Sequence, residues 1–104
     1  MSSGQASLAI AADHPAFAGH FPGAPIVPGV VLLDAALHAI GRQIGTDLSA
    51  CRIGTMKFLR PVGPGEPVSV RYETLDSGAL RFDLLSAGHK VATGSIRLPE
   101  VAAP

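Results

Sequence analysis

The stretch from Gly29 to Gln43, GVVLLDAALHAIGRQ, limits the possible folds more than any other segment. It holds no proline, is rich in Ala and Leu, and is followed by Gly45 as a stop, so it predicts one helix over 29–43. Val30, Val31, Leu32, Leu33, Ala35, Ala36, Leu37, Ala39 and Ile40 take up nearly every face of that helix. A helix with no wide polar stripe has to be enclosed by other structure. The remainder of a chain of 104 residues, enough for a single domain over 1–104, must provide the enclosure.

That enclosure reads as strand. SLAIAAD at 7–13 has the length and alternation of a first strand, and residues 1–5 and 99–104 are expected to be flexible ends. Between 14 and 28, HPAFAGHFPGAPIVP carries too many prolines for a helix or a central strand and reads as an ordered loop. Beyond the helix, strands are expected from Cys51 to about residue 62 and over 68–75, 79–87 and 90–98. Val68, Val70 and Tyr72 alternate with Ser69, Arg71 and Glu73, as in an antiparallel strand with one solvated face. Asp76-Ser77-Gly78 and Ala87-Gly88-His89 suit tight hairpin turns. The fold class is therefore α+β, an antiparallel sheet of about five strands wrapped around one central apolar helix.

Composition narrows the function. Hydrophobic residues make up 47% and charged residues 15%, which leaves apolar surface over for a partner and leads us to expect an oligomer. A formal net charge of zero argues against a nucleic-acid partner. All eight cations fall from Arg42 onward, alongside six acids, an asymmetry that fits an acidic partner and equally fits ordinary solvated strand faces. Cys51 is the single cysteine, so no intrachain disulfide or cysteine metal cluster is expected, and no metal or cofactor site is read from the sequence. Without a leader pattern or a run long enough to enter a membrane, the expected location is the cytoplasm.

Three features could carry chemistry. Asp34 lies mid-helix among apolar residues, where an unpaired carboxylate would be costly unless it stayed protonated, the state a general acid needs. His38, at i+4 on the same face, could instead simply pair with it. His20 sits in Gly19-His20-Phe21-Pro22-Gly23, where Pro22 pushes Phe21 to extended geometry and the loop holds the imidazole in place. Gly29 at the helix start offers backbone N–H groups and the positive end of the helix dipole to a carbonyl, or is merely a neutral first residue after Pro28. Together the set suits proton abstraction α to a carbonyl with loss of a β-substituent.

The run Gly19-His20-Phe21-Pro22-Gly23-Ala24-Pro25-Ile26-Val27-Pro28-Gly29-Val30 resembles the signature of the 3-hydroxyacyl-(acyl carrier protein) dehydratases of the hotdog fold. The likeness extends to Asp13-His14-Pro15-Ala16-Phe17 and to Lys57-Phe58-Leu59-Arg60-Pro61-Val62-Gly63-Pro64-Gly65-Glu66. It implies a catalytic pair, His20 as base and Asp34 as acid, completed across a homodimer interface. It also implies Gly29 as the carbonyl-polarising amide, with Phe21, Val30 and His38 beside the substrate. His38 stands where the family usually has Gln, and Asp34 where its broad-specificity branch has Glu. The implied substrate is an acyl thioester on acyl carrier protein or coenzyme A, with Lys57 and Arg60 as candidate carrier contacts and Ile26, Val27, Leu33 and Phe58 as candidate tunnel walls. The short chain resembles the dehydratases of aryl polyene and related lipid pathways. The alternatives are a hotdog acyl thioesterase and a non-catalytic acyl-binding subunit.

Overall fold

The computed structural model describes residues 3–8, 10 and 27–98. Six elements run in the order β1 (Ser3–Ser7), α1 (Gly29–Ile44), β2 (Arg52–Phe58), β3 (Ser69–Thr74), β4 (Ala79–Ser86) and β5 (His89–Arg97). The five strands form one sheet, β1-β3-β4-β5-β2, with every neighbouring pair antiparallel. The expected α+β hotdog architecture is what the chain adopts. The proline-rich loop expected over 14–28 lies outside the described residues up to residue 26.

Alternation gives the sheet two chemically distinct faces. Val70, Tyr72, Leu80, Phe82, Leu84, Ala92 and Ile96 point inward and are buried. Phe82 pairs with Gly94, and a Cβ on Gly94 would lie 2.7 Å from the Phe82 ring tip, so the aromatic ring occupies the space that a side chain there would need. Leu32, Ala36, Ile40 and Gly41 are the buried residues of α1, and the first three follow the i, i+4, i+8 spacing of one helical stripe. They share the buried cluster with the inner sheet face. The helix ends where Gly45 adopts φ 73°, donating its N–H to Gly41 O, a conformation that glycine takes without strain.

Two expectations are corrected. A strand runs over Ser3–Ser7, ahead of the expected 7–13, of which residues 9 and 11–13 lie outside the described residues; residues 3–5 are paired with β3 and are not a loose end. Polar contacts anchor this strand: Tyr72 Oη donates to Gln43 Oε1 at 2.7 Å, and Gln43 Nε2 donates to the Gln5 carbonyl at 2.9 Å. Gly4 makes room for them, since a Cβ there would sit 2.6 Å from the Tyr72 hydroxyl. The second correction concerns enclosure. The helix packs chiefly on β1 and β3, meets β2 at its Phe58 end, and has no other element over its opposite side among the described residues.

The β4–β5 turn contains the non-glycine residue of positive φ among the described residues, Ala87 at φ 51°, followed by Gly88 at φ 80°. Two central residues with positive φ are what a type I′ hairpin requires, and Asn serves the first position better than Ala. Ala87→Asn is expected to stabilise the fold by about 0.5–1 kcal/mol, measured as a shifted denaturant midpoint at unchanged m-value.

Candidate active site

Pro28 holds the N-cap position of α1 with no side-chain cap, and its carbonyl accepts from Val31 N at 3.0 Å and Leu32 N at 3.2 Å. No acidic side chain occupies the first turn. Among the described residues, the Gly29 and Val30 N–H groups are therefore donors without a partner, at the positive end of the helix dipole. The position is fixed from below, because Val27 N donates to Val62 O at 2.6 Å.

Gly29 has a second reason to be glycine. A Cβ at this residue would fall 2.5 Å from Phe58 Cζ, so the Phe58 ring already fills the place a side chain would take. Around them lies an open depression of about 360 Å³ lined by Val27, Gly29, Leu32, Phe58, Leu59, Arg60, Pro61 and Val62. Its walls are mostly apolar and its polar features are a helix N-terminus and a guanidinium, a surface suited to a polarised carbonyl on an apolar chain.

Asp34 and His38 lie one turn apart on the side of α1 opposite the buried stripe, and both are exposed. The expectation of a buried Asp34 is thereby corrected for the single chain: the sheet covers only the Leu32/Ala36/Ile40 side. Neither residue has a hydrogen-bond or ion-pair partner among the described residues, so the local Asp34–His38 pair is not formed. Both line a groove of about 470 Å³ with Arg42 and Asp47. Val30, 72% exposed, continues this side toward the helix start. Near it, on the uncovered edge, Ile53, Phe58 and Leu59 are 45–49% exposed.

The remaining expected positions divide. Arg60 borders the Gly29 depression, whereas Lys57 pairs with Thr93 on the outer face of the sheet, turned away from it. Val27 and Phe58 line the depression and Leu33 does not. His20 and Phe21 lie outside the described residues, so the His20–Asp34 geometry is not described. Leu59, Pro61 and Val62 were not singled out as walls, although the segment Lys57 to Glu66 that contains them was recognised as a motif.

Residues 1–95 match the ApeI-like family, described as ApeI dehydratase. The chain belongs to the ApeI-like dehydratase family. A FabZ 3-hydroxyacyl-(acyl-carrier-protein) dehydratase from Chlamydia trachomatis serovar L2 is 39% identical over 84 residues, covering 72% of this chain and 50% of that protein. The corresponding FabZ of Klebsiella pneumoniae is 33% identical, with 70% and 56% covered. The chain thus spans about half the length of the curated relatives it matches. Among solved structures, the dehydratase heterocomplex ApeI:P of Xenorhabdus doucetiae matches with a TM-score of 0.73 at 24% identity, covering 94% of this chain and 88% of that one. An (R)-hydratase from A. caviae matches with a TM-score of 0.65 at 20% identity, covering 94% and 95%. These likenesses establish the fold.

The Gly29–Phe58 contact generates a test. Gly29→Ala is expected to destabilise the fold by about 1–3 kcal/mol through overpacking. Adding Phe58→Ala should recover part of that loss, giving a non-additive double-mutant cycle in denaturant unfolding.

Proposed function

We propose that this chain dehydrates 3-hydroxyacyl thioesters, carried on acyl carrier protein or coenzyme A, to trans-2-enoyl thioesters. It would act as a hydro-lyase of one hotdog domain in fatty-acid-like, aryl polyene or related lipid biosynthesis. Support comes from family membership together with one observation: the Gly29 and Val30 amides, unpartnered among the described residues, open beside an apolar depression, and the same helix presents Asp34 to solvent. In this reading the thioester carbonyl accepts a hydrogen bond from Gly29 N–H, which stabilises the charge that develops there when the α-proton leaves. His20 takes that proton. Asp34 gives its proton to the β-hydroxyl, and the C–O bond breaks to release water and form the double bond.

The open edge of the sheet supports an assembly. A homodimer joined along β2 would cover Ile53, Phe58 and Leu59. It would also bring His20 of one subunit to Asp34 of the other. No helix among the described residues is long and apolar enough to cross a membrane, and a cytoplasmic site of action is part of the same proposal.

Incubating the protein with 3-hydroxyacyl thioesters on carrier protein, followed by mass spectrometry, is expected to show loss of one water. Release of free acid would favour a thioesterase, and an unchanged substrate a binding subunit. His20→Ala and Asp34→Asn should each reduce turnover at least a hundredfold without unfolding the dimer. Mixing the two inactive variants after subunit exchange should restore part of the activity, and none returning would contradict a site shared between subunits.

A further inference from the structure

The outer face of the sheet is chemically divided. On its β3–β4 side charges are balanced: Asp83 is bridged by Arg71 at 3.5 Å and Lys90 at 3.7 Å, and accepts from Thr93 Oγ1 at 2.8 Å. Partial burial pushes the Asp83 carboxyl up, but the Thr93 hydroxyl and the two cations outweigh it and hold it below its ordinary value. Glu73 faces Arg81 across the strands. On the β5–β2 side the balance disappears, because neither strand contains an acid.

There Arg52 and Arg97 stand directly opposite one another in register. Directly opposed like charges destabilise a sheet, yet both are exposed and no carboxylate bridges them among the described residues. Asp76, in the neighbouring turn, forms no ion pair among the described residues. Arg97 is held in place, donating from Nη1 to Ser77 O at 2.9 Å. Nor would a second copy along β2 neutralise the pair, since residues 52–60 contain Arg52, Lys57 and Arg60 and no acid in any register.

We propose that Arg52 and Arg97 form a binding site for a phosphate monoester dianion. Two guanidinium forks on adjacent strands, one already anchored, match the charge and oxygen geometry of such a group better than chloride or water does. The dianion removes the repulsion that the empty pair carries. The site does not rest on the dehydratase reading, and a catalytically silent protein would show it equally.

Thermal unfolding of the intact chain tests it, in inorganic phosphate against chloride at matched ionic strength. Phosphate is expected to raise Tm by roughly 6 °C at tenfold excess over its Kd. Arg52→Gln should unfold no earlier than the parent in chloride and should lose the phosphate increment. If that variant fails to fold, Arg52→Lys, which keeps the charge without the fork, should show a reduced increment. Coenzyme A, which carries a 3′-phosphate, should act like phosphate, and dephospho-coenzyme A should not. A free phosphate ion as the sole ligand would leave coenzyme A without effect and would confine the site to that source. Equal Tm in phosphate and chloride, or an increment that survives Arg52→Gln, overturns the site. A coenzyme A effect that survives loss of the 3′-phosphate overturns the monoester assignment.

Discussion

Leu32, Ala36 and Ile40 are buried together with Val70, Tyr72, Leu80, Phe82 and Leu84, and on that one-sided union of helix and sheet the other features hang. Each fully buried side chain of this kind contributes about 1.5–3 kcal/mol. Packing that stripe inward fixes the rotation of α1 about its own axis. Asp34 and His38 are then turned to the opposite side, and Gly29 is delivered to the end of β2 where Phe58 closes against it. The candidate site is thus a by-product of which third of the helix the sheet can cover.

The same geometry ties stability to chemistry at Gly29. A residue chosen for a free amide alone would tolerate alanine, because a methyl group leaves the N–H in place. Here the Phe58 ring tip occupies the Cβ position, so packing and carbonyl recognition impose the same requirement. A helix start without a side-chain cap would ordinarily be a weakness. At this position it leaves donors available to a ligand.

Much of the architecture was legible in the sequence. The helix was placed within one residue of its observed end, and Gly45 stops it as its conformational freedom suggests. The four later strands followed from alternation and turn residues. The first strand did not, because SGQAS has no hydrophobic period and its anchorage depends on Gln43 and Tyr72, distant in sequence. Asp34 illustrates a different gap. Hydropathy shows that a helix is apolar all round, but not which sides its own chain covers and which are left for another. The opposed arginines were invisible for a third reason: register decides them, and no local pattern specifies register.

That register is interrupted at Gly54. The pairing of β2 with β5 slips by one residue between Ile53 and Thr55, and a Cβ on Gly54 would lie 2.7 Å from Ser95 Oγ. Side chains along a strand alternate strictly, so residues separated by an odd number of positions belong on opposite faces. Arg52 and Lys57 are such a pair, as are Ile53 and Phe58, yet each pair shares one face because the extra residue resets the count. The strand is effectively written in two reading frames joined at a glycine. Removing Gly54 would merge the two frames into one regular ladder, in which strict alternation by itself keeps Arg52 opposite Arg97 on the outer face and Ile53 opposite Ile96 on the core side.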